Sequence, residues 1–355
     1  MHNSLERSSQ QVLRIVDANF NRIGEGLRLL EDTARLILND ADLSRQLKAM
    51  RHSLSIKDLS TKKNLLQARD SHGDVGIKIE VSQQSKERDI ASTVVANSRR
   101  VQESLRVIEE LSKIPSIDLA DEAFKGARFE LYDIEKSLVS KLLRKEKADR
   151  ISGLYTIIDT QYLNNRSCED MASQIIEGGA GIIQLRAKDM SVRKITAIAK
   201  KLKRLCAENG ALFIVNDRLD ITLAADADGL HIGQEDLLSE DARRLLPIDR
   251  IIGCSVASAE QAKEAEDAGA DYLAVSAVFP TPSKKDTTIA GLKVLKEIRK
   301  QTQLPLVAIG GINIDNTAEV QAAGADSVAI ISAIMQAESP GEATRQIIEL
   351  LRKNN

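Results

Sequence analysis

Two aspartates, Asp217 in LFIVND and Asp236 in LHIGQED, each follow a short apolar run. If those runs are neighbouring parallel strands, their axes lie about 4.8 Å apart, and the two carboxylates can share one hard cation. Mg²⁺ takes one or two protein carboxylates and completes its shell with water and substrate phosphate. No His/Cys cluster at zinc spacing accompanies them, which argues against zinc. An aspartate that ends a strand is often no more than the cap of the next helix. The neighbouring cations argue for more. In GIIQLRAK, Gln184, Arg186 and Lys188 alternate along the chain, so all three project to one side. An arginine offers a bidentate fork to phosphate and a lysine a point charge. With Lys284 of FPTPSKKD across the mouth and Mg²⁺ between, the set suits a diphosphate.

A second anion site is written further along. IGGINIDN places Gly310 and Gly311 after an apolar run and before a helical stretch, where backbone N–H groups can approach a phosphate. Ser332 follows SVAII and adds a donor. Thr281 and Ser283 of FPTPSKKD can serve the same phosphate, and the two prolines there reduce the cost of ordering the loop. The plain alternative is that the glycines make a tight turn and the lysines are solvated surface, which is the reading favoured for Lys285.

These residues share one kind of position. Eight apolar runs, LYTIID, GIIQLR, LFIVND, DGLHIG, RIIGCS, YLAVSAV, LPLVAIG and SVAIIS, are mostly separated by amphipathic helical stretches. Near-continuous apolar strands joined by helices describe a parallel sheet covered on both faces. GAG at Gly179 and GAD at Gly269 and Gly324 repeat one helix-to-strand turn, with glycine as the helix stop. Eight such units over about two hundred residues predict a closed (β/α)₈ TIM barrel; an open doubly wound sheet is the alternative. In a barrel the chemistry sits at the C-terminal strand ends. There lie Gln184, Arg186, Lys188, Asn216, Asp217, His231, Gln234, Asp236, Ser255, Thr281, Ser283, Lys284, Gly310, Gly311, Ile331 and Ser332.

The barrel is expected over 150–355. Before it, 1–147 reads as an all-α helical domain: apolar residues recur at three and four spacing in VLRIVDANFNRIGEGLRLLEDTARLIL and FKGARFELYDIEKSLVSKLL. It contains an internal repeat, ANFNRIGEGLRLLE from Ala18 and ANSRRVQESLRVIE from Ala96, which predicts two like helices facing each other about a pseudo-twofold axis. The repeated Arg22/Glu25 and Arg28/Glu31 spacings fit surface ion pairs or the lining of a polar cleft. ARDSHGDVG, with Arg69, Asp70, His72 and Asp74, could close such a cleft, and its spacing is diagnostic of no metal.

Composition bounds the rest. The chain of 355 residues has a formal net charge of −2, 3% aromatics and no tryptophan, which gives nucleic acid or an anionic membrane no bulk attraction and no stacking platform. Three scattered cysteines without CxxC read as reduced thiols. The N-terminal MHNSLERSSQ lacks a signal-peptide pattern and no apolar run is long enough to span a bilayer, so a cytoplasmic protein is expected.

In order, QLRAK, VNDR, LHIGQED, GCS, FPTPSKKD, AIGGI and IIS resemble the thiamine-phosphate synthase family over about Gly153 to Leu351. The resemblance implies a (β/α)₈ barrel transferase that joins a pyrimidine diphosphate to a thiazole phosphate. It places Gln184, Arg186, Lys188, Asn216, Ser255 and Lys284 on the pyrimidine diphosphate, with Arg186, Lys188 and Lys284 stabilising the departing pyrophosphate. It makes Asp217 and Asp236 Mg²⁺ ligands, and puts Thr281, Ser283, Gly311, Ile331 and Ser332 on the thiazole phosphate. Ala187 stands where the family often has an acidic residue, and Ser283 where threonine is common. Small-molecule substrates are the expected partners, and a homo-oligomer is compatible with this reading. The rival readings are a thiazole tautomerase-like relative and a non-enzymatic thiazole or thiamine phosphate sensor. The first domain resembles an extension fused to some such synthases, and that likeness names no activity.

Overall fold

The computed structural model describes residues 2–70, 72–74, 88–114, 119, 121–281 and 289–353. The chain divides into two compact units, residues 1–143 and 144–355.

The first unit is helical. Its elements are α1 (His2–Asp32), which runs into a π-helical turn at Thr33–Ile37, α2 (Ala41–Ser53), α3 (Leu59–Ala68), α4 (Ile90–Leu111) and α5 (Asp121–Ala148), whose last residues belong to the second unit. Side-chain caps start three of them: Asp40, Asp58 and Asp89 accept from the first-turn N–H groups of α2, α3 and α4, satisfying donors that a helix start leaves open. The two repeat helices α1 and α4 pack together around Ile23, Leu27, Leu30, Val101, Leu105 and Ile108. At Gly26 a Cβ would come within 2.3 Å of Val101, so glycine sets their close approach.

The repeated acids keep matching partners. Glu31 is held by Arg51 at 2.8 Å with Arg28 at 3.7 Å, and Glu109 by Arg128 at 3.1 Å with Arg106 at 2.5 Å. Both acids are buried. Of the two expected pairs, Arg28–Glu31 forms at 3.7 Å, while no ion pair joins Arg22 and Glu25 among the described residues. Arg69 instead grips Asp17 with two bonds, at 2.7 and 2.8 Å.

The second unit alternates strand and helix: β1 (Gly153–Asp159), a 3₁₀ turn at Thr160–Tyr162, α6 (Cys168–Glu177), β2 (Ile182–Arg186), α7 (Val192–Glu208), β3 (Leu212–Asn216), α8 (Leu219–Ala224), β4 (Gly229–Ile232), α9 (Ser239–Leu245), β5 (Ile251–Val256), α10 (Ala259–Asp267), β6 (Tyr272–Ser276), α11 (Gly291–Arg299), β7 (Leu306–Ile309), α12 (Thr317–Ala322), β8 (Ser327–Ile330), α13 (Ser332–Met335) and α14 (Pro340–Lys353). The strands pair in parallel and in sequence order, and β8 returns to β1. The barrel is closed, and the open-sheet alternative is set aside.

Period two along each strand sorts the side chains. Leu154, Ile158, Ile183, Leu185, Phe213, Val215, Leu273 and Val275 face the helices and form the larger core. Tyr155, Ile157, Ile182, Leu212, Ile214, Ile251, Tyr272, Ala274, Val307 and Ala329 fill the barrel interior. The next inward positions, one step up, are therefore at the mouth.

The opposite rim is built from the recurring turn. Gly179, Gly269 and Gly324 all have φ near +100°, the conformation that stops a helix with glycine. Asp228, Asp271 and Asp326 then open β4, β6 and β8. Each carboxylate accepts from the backbone N–H of the preceding strand, at Phe213 (2.9 Å), Ile252 (2.8 Å) and Leu306 (2.8 Å). Each also has a basic partner: Lys203 for Asp228, Arg243 and Arg144 for Asp271, Arg299 for Asp326. Asp228 is buried and Asp271 half-buried, where a carboxylate is tolerable only when so paired, whereas Asp326 is exposed.

Candidate active site

At the C-terminal strand ends lies a cavity of about 420 Å³, within the size range of small-molecule sites. Of the residues that the sequence reading assigned to a pyrimidine diphosphate, Gln184, Arg186, Asn216 and Ser255 line it. Of those assigned to a thiazole phosphate, Thr281, Gly311, Ile331 and Ser332 line the same cavity. Ser283 and Lys284 lie outside the described residues. Ile157, Ala274, Val307 and Ala329 supply apolar wall between the two polar groups.

Arg186 ends β2 and is held by Asp159, the last residue of β1, its register partner. Asp159 is fully buried, so the pair fixes the guanidinium at the mouth while the side-chain charge is balanced from behind. Asn216 ends β3 opposite His231. The chain then turns sharply: Asp217 has φ +61° and donates its N–H to the His231 carbonyl at 2.7 Å. A left-handed aspartate is a strained choice, and such strain collects at functional sites.

That turn aims Asp217 at Asp236, whose carboxylate accepts from the Gly233 N–H at 2.7 Å. Burial, and then the hydrogen bond and charge of the facing Asp236, push the Asp217 pKa up to about 6, against the pull of Lys188 and Arg186. A carboxyl whose proton affinity is raised by a facing carboxylate marks a place short of positive charge. The donor set is all oxygen, and no group of three or more His, Cys, Asp and Glu gathers among the described residues. This fits Mg²⁺, which needs few protein carboxylates and takes further oxygens from phosphate. Lys188 is exposed and contributes to the field at Asp217.

The other half of the cavity depends on close backbone packing. Gly310 and Gly311 have φ +102° and +65°. A Cβ on Gly311 would meet the Pro280 carbonyl at 2.5 Å and Phe279 at 2.7 Å. The loop after β6 is tied to this turn by Val278 N–H to Ile309 O (2.9 Å) and Phe279 N–H to Gly310 O (3.0 Å). Asn316 adds a bond to the Gly311 carbonyl at 2.9 Å. Thr281 and Ser332 both line this cavity.

Sequence reasoning passed over Asp159, Tyr155 and Tyr272, and gave His231 a place without a role. Asp159 ends LYTIID and so obeys the same strand-end rule as the others. The two tyrosines carried a fainter signal: a hydroxyl at an inward position of an otherwise apolar strand.

The family model described as thiamine monophosphate synthase matches residues 154–334, and one described as the ThiD2 family matches residues 14–137. A thiamine-phosphate synthase of Prochlorococcus marinus (strain MIT 9313) is 37% identical over 345 residues, 96% of this chain and 97% of its own. The chain belongs to the thiamine-phosphate synthase family. A synthase of Synechocystis sp. is 36% identical over 354 residues, 99% of each chain, so the family likeness extends through the helical unit. Among solved structures, thiamine phosphate pyrophosphorylase from Pyrococcus furiosus is 41% identical with a TM-score of 0.54, covering 60% of this chain and 98% of its own.

Proposed function

We propose that this synthase-family enzyme joins 4-amino-2-methyl-5-(diphosphooxymethyl)pyrimidine to 4-methyl-5-(2-phosphooxyethyl)thiazole, giving thiamine phosphate and pyrophosphate. The observation that carries the reading is one cavity with two unlike polar ends. Arg186, beside the Asp217–Asp236 pair, forms one; Gly311, Thr281 and Ser332 form the other.

In this reading Gln184, Asn216 and Ser255 hold the pyrimidine diphosphate, with Arg186 and Lys188 on its phosphates. Lys284 is assigned to the same diphosphate and Ser283 to the thiazole phosphate. Asp217 and Asp236 hold Mg²⁺, which when bound supplies positive charge to the leaving diphosphate. The C–O bond of the pyrimidine methylene breaks and its electron pair leaves with pyrophosphate. Arg186 and Lys188 stabilise that growing charge, an effect largest where donors are fixed in advance; Asp159 is what fixes Arg186. The ring amino group feeds electrons toward the methylene. Thr281, Gly311, Ile331 and Ser332 anchor the thiazole through its remote phosphate, so that its nitrogen lone pair forms the new C–N bond. Positioning two reactants in one cavity is worth several kcal/mol in such reactions. No covalent nucleophile is required.

The barrel, 150–355, carries this chemistry in our reading, and the helical domain, 1–147, is an accessory. No helix among the described residues is long and apolar enough to cross a membrane. Small-molecule substrates and a cytoplasmic location complete the proposal, with neither nucleic acid nor membrane as partner. The test is thiamine phosphate formation by the full chain from the two phosphorylated precursors, with Mg²⁺ and with chelator. Mg²⁺-dependent product supports the reading. Folded protein that forms none overturns it.

A further inference from the structure

Five side chains from five strands form a continuous hydrogen-bonded line beneath the cavity. Gln184 Nε2 donates to Tyr155 OH at 2.9 Å. Tyr155 OH is 2.9 Å from Tyr272 OH. Tyr272 OH is 3.2 Å from His231 Nδ1, and His231 Nε2 is 3.0 Å from Ser255 Oγ. Both ends, Gln184 and Ser255, open into the cavity.

The line is built rather than incidental. The phenols are 1% and 0% exposed. Tyr272 can lie across the interior because its register partner on β5 is Gly253, where a Cβ would come within 2.0 Å of the ring. The His231 ring stacks on it, with centroids 5.7 Å apart. Burial raises the pKa of both phenols well above the ordinary value, so each keeps its proton.

A phenol has one hydrogen to donate, so the direction chosen at one end sets the whole line. With Gln184 donating to Tyr155, every hydrogen in the line finds a partner only if Tyr155 donates to Tyr272. Tyr272 donates in turn to Nδ1 of His231. An imidazole that accepts at Nδ1 carries its hydrogen on Nε2, which it gives to Ser255. Two groups are then left for a ligand: the Gln184 carbonyl as acceptor and the Ser255 hydroxyl hydrogen as donor.

We propose that this line sets which pyrimidine the enzyme accepts. Tyr155, Tyr272 and His231 act as positioning residues that lock Gln184 as an acceptor and Ser255 as a donor. A ring with an exocyclic amino donor and an unprotonated ring nitrogen matches that polarity. The 4-oxo ring, with an acceptor in place of the amino group and a hydrogen on the adjacent nitrogen, opposes it. A site with committed polar groups rejects the mismatched partner more strongly than an apolar pocket does. The inference rests on the placement of the pyrimidine proposed above.

The test combines ¹⁵N NMR of the full chain with kinetics. Without substrate at neutral pH, His231 is expected as the Nε2–H tautomer. Tyr272→Phe keeps the ring and cuts the line. It should give a mixed His231 tautomer, raise KM for the aminopyrimidine diphosphate about tenfold, and leave KM for the thiazole phosphate unchanged. The preference for the aminopyrimidine over the 4-oxo diphosphate, read as competitive inhibition, should fall at least ~10-fold, equivalent to ~1.4 kcal/mol. If Tyr272→Phe does not fold, Tyr155→Phe cuts the line one bond earlier and should act alike. A hydrogen on Nδ1 in the wild type overturns the proposal, and so does unchanged discrimination in a folded variant. Because the tautomer is read without substrate, a wild type that carries Nε2–H yet makes no thiamine phosphate would sink the proposed reaction and leave the polarity of the line standing.

Discussion

The two rims of the barrel use the same residue types to opposite ends. At the lower rim Asp228, Asp271 and Asp326 each accept from a strand N–H and face a lysine or arginine. At the mouth Asp217 and Asp236 face each other, and Lys188 is exposed. Charge balanced inside the protein stabilises the fold. Charge left unbalanced, held there by a strained turn, attracts something from solution. Which side of the strands an aspartate ends on decides which of the two it does.

The sharpest way to break this contrast is to remove one carboxylate from each rim. Asp217→Ala should lower kcat with Mg²⁺ by ~10³-fold, a rise of about 4 kcal/mol in the barrier, while the barrel still folds and unfolds cooperatively on heating. Asp271→Ala should do the reverse. It strands Arg243 and Arg144, so urea unfolding should show a loss of about 3 kcal/mol, with kcat per folded molecule unchanged.

Asp159 lies between these cases, since it is a mouth residue paired like a lower-rim one. Asp159→Asn should leave Arg186 less well fixed and reduce kcat about tenfold, a change of ~1.4 kcal/mol, with a smaller effect on KM for the thiazole phosphate. Steady-state kinetics with each substrate varied would check this.

The smallest effect sharpens the contrast by pH. The Asp217 pKa, raised to about 6 from an ordinary 3.8, makes the protonated form the one that folding favours. Its contribution is fully present below the unfolded pKa and is lost as pH rises through about 6. Between pH 4 and 7 the metal-free wild type should therefore lose about 1 kcal/mol relative to Asp217→Asn, after allowance for solvent screening. Mg²⁺ should raise Tm more at pH 7.5 than at pH 5, as scanning calorimetry would show.

The barrel and most of its mouth were legible because period-two apolar runs mark strands, and one register step places Gln184, Arg186, Asn216 and Ser255 together. What escaped depends on partners distant in sequence. Tyr272 crosses the interior only because Gly253 lies opposite it, and no local pattern joins the two. The helical unit shows the same limit. Spacing suggested Arg22 with Glu25, yet Glu31 takes Arg51, twenty residues on, from another helix. Asp159 closes LYTIID and falls under the strand-end rule, but its role as the partner of Arg186 is visible only in the register of β1 against β2.

Tyr155 and Tyr272 also give the barrel a floor. In the proposed reading both substrates occupy the one cavity above it. Traffic is then constrained as well as chemistry: in that reading a substrate settled against the floor is covered by the one that follows. A sequential order of binding is the kinetic pattern that this reading expects, above a floor that exists because Gly253 leaves room for the Tyr272 ring.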